Sequence, residues 1–209
     1  FDNTASFSNS AVGGGFQNQA IGTSSVVAGG DTNIASGNYA TIPGGYDNEA
    51  SGDSSFAAGS NAKANNDGCF VWGDSLTADI LCNTDNQWVA RATGGVYFYT
   101  SGNLLNGAFL APNGGSWNDL SSRELKENFA PLDKTALLER LAEVPVTTWN
   151  YIAQDDSILH VGLMADEFNG LIDGLGGEGM DHINSMDATG VALAAIQGLY
   201  TENQELKAQ

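Results

Sequence analysis

Positive charge is scarce in this sequence. Its 209 residues hold 7 Lys and Arg against 25 Asp and Glu, a net charge of −18. Only Lys63 and Arg91 precede Ser121. Nucleic-acid binding rests on clustered Lys and Arg that neutralise phosphates, so nucleic acid is not a partner. No apolar run approaches the ~18 residues of a spanning helix, and the acidity suits no anionic surface, so no membrane partner is expected. Cysteine is almost absent. Cys69 and Cys82 allow one disulfide at most, which is no disulfide framework and leaves the redox compartment open. Aliphatic and aromatic residues suffice for a core, which excludes wholesale disorder. Phe1 stands where a methionine would open a gene product, as expected of a fragment or a processed chain.

Glycine is what the sequence has in excess, and much of it is periodic. Gly14, Gly29, Gly44 and Gly59 are spaced by fifteen residues. Gly15, Gly30 and Gly45 follow them, with Ser60 in fourth place. Asn3, Asn18, Asn33 and Asn48 keep the step, as do Ala5, Ala20, Ala35 and Ala50. Val12, Val27 and Ile42 continue it, with Ala57 next. A second glycine series, Gly22, Gly37 and Gly52, lies midway. The unit from Gly59 to Gly73 is one residue shorter. Such a unit is too short for two strands and a helix. It reads as strand, turn, strand, turn, with glycines at turn positions of positive φ. Residues 1–73 are therefore expected to form a β-solenoid rising ~4.8 Å per coil, its asparagines stacked as a hydrogen-bonded ladder. The interior is thin. Coils bundled around a shared axis would bury the Val/Ile row with Phe1, Phe16 and Tyr46, or leave those aromatics as a ridge, which favours an oligomer. A phosphate-cradling role for the glycine pairs is excluded by the lack of a following helix and lysine, so no cofactor is expected.

Residues 74–120 read as a β connector. Gln87–Ala92 and Gly94–Tyr99 are short strands, and Ala111–Asp119 is a loop whose Trp117 anchors it or fills a groove. Residues 121–209 have α+β patterning. Asp133 caps a helix through Leu137, Leu138 and Leu141 that ends before Pro145. Val144–Tyr151 and Ser157–Val161 can pair as a hairpin. Met164, Phe168, Leu171 and Ile172 have helical spacing, and Asp173–Asp181 is a glycine-rich loop. From Thr189 a last helix places Ala192, Ile196, Leu199, Asn203 and Leu206 at alternating steps of four and three. That is an a/d seam of a short trimeric coiled coil, with Asn203 at an a position; otherwise the helix packs on its own domain.

Chemistry concentrates at Ser121-Ser122-Arg123-Glu124-Leu125-Lys126. A hydroxyl and an amine five residues apart are the material of a Ser–Lys nucleophile pair; from spacing alone they read first as a helix-capping serine and a solvated lysine. On a regular helix that spacing sets the side chains ~140° apart, so Ser121 must precede any helix. A lysine acts as base only when burial, away from carboxylates, lowers its pKa from ~10.4. Glu124 and Glu127 flank Lys126 in sequence. Other candidates are thinner. His160 reads as a satisfied core histidine. His182 with Asp173, Glu178 and Asp181 lacks the spacing of a calcium loop, so no metal is expected. Asp47, Glu49 and Asp53 form no glycosidase pair.

The repeat resembles the left-handed, trimeric β-roll heads of autotransporter adhesins, which also occur in phage tail fibres. Residues 121–209 resemble the intramolecular chaperone domain of endosialidase-type tail spikes and fibres. The resemblance lies in Ser121–Asn128, Pro145–Tyr151, His160–Phe168 and Asp187–Leu199, with Arg91–Val96 and Gly115–Trp117 as a lead-in. It implies a virion or cell-surface homotrimer whose C-terminal module aligns three fibre chains and then cuts itself off between Leu120 and Ser121. Ser121 would be the nucleophile and Lys126 the base. The family carries an aspartate after that serine, where this chain has Ser122. The alternatives are a permanent, uncleaved trimeric cap on a head that binds a receptor protein or glycan, Phe1, Phe16 and Tyr46 stacking on sugar, and, with least support, an enzyme for an external substrate.

Overall fold

The computed structural model describes residues 2–176 and 181–209. The chain forms two compact units, Phe1–Leu120 and Ser121–Gln209. The first is mainly β. Its described residues build a parallel solenoid from a six-stranded and a seven-stranded sheet, in which each strand pairs with its equivalent one coil later. Thr4 pairs Gln19, Gln19 pairs Ile34 and Ile34 pairs Glu49 on one sheet. Ala11 pairs Val26, Val26 pairs Thr41 and Thr41 pairs Phe56 on the other. The fifteen-residue period is thus the length of one coil. Strand residues alternate faces, so Ala20, Ala35 and Ala50 stack inward opposite Val27 and Ile42, all fully buried.

The asparagine ladder runs through the turns between these sheets. Asn18 and Asn33 are fully buried and Asn48 is nearly so. Asn33 Nδ2 donates to Asn18 Oδ1 at 3.0 Å, to Gly29 O at 3.1 Å and to Gly45 O at 2.9 Å. Its own Oδ1 accepts from the backbone N–H and the Nδ2 of Asn48, both at 3.0 Å. One short amide per coil therefore satisfies backbone groups of its own coil and of the next, and joins the amide of the coil before. A second ladder lies at the opposite turn. Thr23 N donates to Asn38 Oδ1, Asn38 N to Asp53 Oδ1, Asp53 N to Asp67 Oδ1 and Asp67 N to Asp85 Oδ1. This row was not legible as a repeat because its residue type changes.

The glycines divide their work differently from the expectation. Gly30 has φ 93°, as a turn glycine should. Gly37 does not have positive φ; a Cβ there would collide with the carbonyl oxygen of Gly52 in the next coil. The positive φ at that turn falls on Tyr39, at 59°. Gly22, Gly37 and Gly52 are therefore glycine because coils stack closely.

Three further expectations are corrected. The Val/Ile row needs no bundle to cover it, since Val27, Ile42 and Val71 are fully buried within the single chain. Phe16 and Tyr46 are half exposed but form no continuous ridge, because Asp31 stands between them in the bridge column; Phe1 lies outside the described residues. The parallel pairing also outlasts the period, which ends at Gly73. Phe70–Gly73 pairs with Trp88–Arg91, and Ala62–Lys63 with Ile80–Leu81. The extra residues of this last coil loop out at Asp74–Ala78. Arg91 gathers them, its Nε donating to Asp74 Oδ1 at 2.7 Å and its terminal nitrogens to the carbonyls of Leu76 and Ala78. Asp74 Oδ2 accepts from Thr93 N and Oγ1. The Cys69–Cys82 disulfide spans the same coil.

A three-stranded antiparallel sheet follows: Val96–Tyr99, Gly107–Leu110 and Trp117–Asp119. Trp117–Asp119 is thus a strand and not part of a loop. It pairs with Ala108–Leu110 and leans Trp117 on Phe98, 5.7 Å between ring centres. Tyr97, Phe98 and Tyr99 are exposed on both faces of their strand.

The second unit packs helices α1 (Lys134–Glu143), α2 (Ala165–Asn169) and α3 (Ser185–Ala208) beside a hairpin of Thr147–Trp149 and His160–Gly162. Asp133 caps α1 by accepting from Ala136 N. The last helix starts at Ser185, four residues before Thr189, because Asn184 caps it through Met186 N. The core here is Leu137, Phe168, Leu171, Val191 and Ala194. Gly198 meets the Lys134 carbonyl, where a Cβ would clash.

Asn33→Ala should lower unfolding free energy by about 2–4 kcal/mol in urea melts, since it leaves the Asn48 N–H and the Gly29 carbonyl without the side chain that partners them and removes one rung of the ladder. Asp74 provides a second check. Hydrogen bonds from Thr93 and Arg91 hold its carboxyl well below the usual carboxylate range. A carboxylate with a depressed folded pKa contributes stability above its unfolded value of about 4 and loses it as pH falls further. Thermal melts should therefore show wild type above Asp74→Asn at neutral pH, with the gap closing below about pH 4.

Candidate functional site

The second unit begins at Ser121. Ser122 takes an extended conformation, and its side chain accepts from Glu124 N at 3.3 Å. That cap starts a 3-10 turn over Arg123–Leu125, which closes with Lys126 N donating to Arg123 O. With about three residues per turn, a single 3-10 turn folds Lys126 back toward the residue before the cap. Lys126 Nζ consequently donates to Ser121 Oγ at 2.5 Å. The pair that a regular helix would hold apart meets within one chain, because Ser121 lies outside the turn as its spacing required.

The neighbouring carboxylates leave the pair alone. Among the described residues Lys126 forms no ion pair, so Glu124 and Glu127 do not hold its amine. Arg123 turns away and covers the Phe129 ring, 4.2 Å from its centre. The Ser121 hydroxyl donates to Met186 Sδ at 3.6 Å. Met186 is at the first turn of α3, fixed there by the Asn184 cap. No sequence pattern pointed to it, since 65 residues separate it from Ser121. Both Ser121 and Lys126 are exposed. Across the peptide bond, Leu120 is half-buried, its N–H donating to Gly107 O at 3.2 Å.

The helix carries two faces. Val191, Ala194, Ala195 and Gly198 are buried, so an amphipathic packing on its own unit is present. Ala192, Ile196, Leu199, Asn203 and Leu206 lie on another face and are all exposed. Asn203 Nδ2 donates to the Leu199 carbonyl of its own helix.

The remaining candidates are apart from the pair. His160 is half-buried, stacks on Trp149 and exchanges a hydrogen bond with Gln154 Oε1 at 2.8 Å. It is satisfied, though at the edge of the core. His182 Nδ1 meets Asp181 Oδ1 at 2.9 Å, and this bond lowers the Asp181 carboxyl pKa. Glu178 lies outside the described residues. Asp47 holds Lys63, 3.3 Å away.

Residues 121–176 match the family model described as chaperone of endosialidase. Residues 25–37 match that of the ubiquitous surface protein adhesin repeat. No curated protein matches the chain. The β-solenoid thus carries a match to an adhesin repeat and the second unit a match to the endosialidase chaperone, in line with the sequence resemblance, and both families point to a surface or virion location. No described helix is long and apolar enough to cross a membrane.

Ser122, where the resemblance places an aspartate, caps the 3-10 turn, and serine and aspartate cap about equally well. Ser122→Asp should leave amide exchange at Glu124 unchanged, whereas Ser122→Ala should speed it several-fold, read by hydrogen exchange.

Proposed function

We propose that residues 121–209 are a trimerising intramolecular chaperone for the fibrous part of the protein, and that they release themselves by cleavage at Leu120–Ser121. The observation that carries this reading is the 2.5 Å approach of Lys126 Nζ to Ser121 Oγ at the first residue of the second unit. The two family matches support the assembly role. The exposed row of Ala192, Ile196, Leu199, Asn203 and Leu206 supplies a seam for three helices.

The chemistry is a single turnover. Ser121 Oγ attacks the Leu120 carbonyl carbon as Lys126, in its neutral form, takes the hydroxyl proton. The tetrahedral adduct expels the Ser121 nitrogen, which receives that proton from Lys126. A Leu120–Ser121 ester remains, with Ser121 now bearing a free amine. Water then cleaves the ester, giving the Leu120 carboxylate and restoring the Ser121 hydroxyl. The base role requires an amine withdrawn from water and from carboxylates. Both side chains are exposed in the single chain, so in this reading assembly supplies the cover and cleavage follows it.

The test is intact mass under denaturing conditions. Wild type should give two fragments that meet at Leu120–Ser121. Ser121→Ala and Lys126→Gln should remain whole, with cleavage at least a hundredfold slower. A full-length wild type would leave the module as a permanent trimeric cap on a receptor- or glycan-binding head.

A further inference from the structure

Ser121 Oγ sits between an amine and a sulfur, and the two decide where its proton points. Lys126 Nζ donates to it at 2.5 Å. The hydroxyl itself donates to Met186 Sδ at 3.6 Å. A lysine in its ammonium form has three donors and no acceptor, so it takes a lone pair of the oxygen and leaves the hydroxyl proton to another partner. Met186 Sδ is the partner that the described residues provide. Cleavage needs the opposite arrangement, in which a neutral amine receives that proton. Rotation about the Cβ–Oγ bond carries the proton from sulfur to nitrogen, and Oγ stays where it is. A thioether sulfur is a weak acceptor, so little is lost when the hydroxyl leaves it.

The sulfur is held by long-range contacts, unlike the rest of the pair. Asn184 Oδ1 accepts from Met186 N at 2.8 Å, and Ala188 N donates to Asn184 O at 3.0 Å, which fixes the first turn of α3. Further along, Val191 and Ala194 enter the core with Leu137, and Gly198 lets the helix approach the Lys134 carbonyl. Met186 itself is half-buried. The 3-10 turn that brings Lys126 to Ser121 needs none of this. Before α3 docks, the pair can form, but its hydroxyl has only water to orient it. Docking adds the sulfur. The same helix carries the exposed Ile196, Leu199 and Leu206, so the element with the free apolar face is also the one that completes the site.

We propose that Met186 is a positioning residue for Ser121, and that cleavage at Leu120–Ser121 is efficient only when the first turn of α3 is in place. The proposal rests on the self-cleavage reading and names the element that controls when that reaction runs. Met186 takes no part in the proton transfer and acts through the Ser121 hydroxyl alone. Without it, the Cα–Cβ and Cβ–Oγ torsions of Ser121 each return to their staggered wells, and the reactive geometry becomes one in about nine. That loss is far smaller than the loss on replacing Ser121 or Lys126.

The experiment follows cleavage of the full chain made by cell-free synthesis, samples being denatured at intervals and weighed intact. Met186→Leu, a volume-conserving swap that removes the acceptor, should be cut about tenfold more slowly. Asn184→Ala, which uncaps the turn, should be cut several-fold more slowly, and Asn184→Ser, which keeps a cap, at the wild-type rate. In the uncut Lys126→Gln background, melting temperatures should be the same with and without Met186→Leu. Met186→Leu cut as fast as wild type overturns the proposal. So does Asn184→Ala cut as fast as wild type. Slow cleavage of Met186→Leu with a lowered melting temperature, and Asn184→Ser no faster than Asn184→Ala, would make Met186 a packing residue and also overturn it. A wild type that stays whole removes the self-cleavage reading and this proposal with it. A failure of positioning alone leaves the wild type cutting itself, so the two failures are distinguishable.

Discussion

Each coil of the solenoid turns a corner where its backbone cannot pair with a strand, and the buried asparagine at that corner is what closes the account. Asn18, Asn33 and Asn48 each donate to glycine carbonyls, and each oxygen accepts from the coil that follows. Hydrogen bonds are modest in net worth when made and costly when lost in an interior. The ladder therefore acts more as a condition than as a bonus. It holds the coils in register, Asn48 still reaching Gly59 O and Ala62 N in the shorter coil that follows it. The inward columns of Ala, Val and Ile, and the near contact of Gly37 with Gly52, follow from that fixed spacing.

The same regularity decides what the outside can display. Parallel in-register stacking lines up every outward residue with its equivalents. A side chain is never presented once on such a surface but as a column. Columns of carboxylate-bearing turns and a column of apolar residues are therefore segregated onto different sides. Asp53, Asp67 and Asp85 are tolerated as neighbours because each also accepts a backbone N–H from the preceding coil and sits at an exposed edge.

The Ser–Lys pair depends on a smaller device. A cap at Ser122 and one 3-10 turn place Lys126 beside Ser121 without help from any long-range contact. The geometry is local, yet six consecutive residues also fit a capping serine and a solvated lysine, and it was the family resemblance that singled out the pair. Its wider setting was not legible from either. Met186 reaches the Ser121 hydroxyl only because α3 starts at the Asn184 cap and packs on α1 across Gly198.

The sequence by itself determined whatever repeats or lies close along the chain. That includes the coil length, the inward Ala column, the asparagine ladder and the Asp133 cap. Periodicity and turn chemistry are local, and neither needs a partner from afar. Tertiary structure alone decided the rest. The parallel sheet continues to Arg91 because Arg91 and Asp74 hold a looped-out coil that has no repeat to announce it. Trp117–Asp119 becomes a strand because Gly107–Leu110 offers it an edge. Val27 and Ile42 are buried within one chain because the two sheets face each other across a narrow interior, a distance that no list of residues contains.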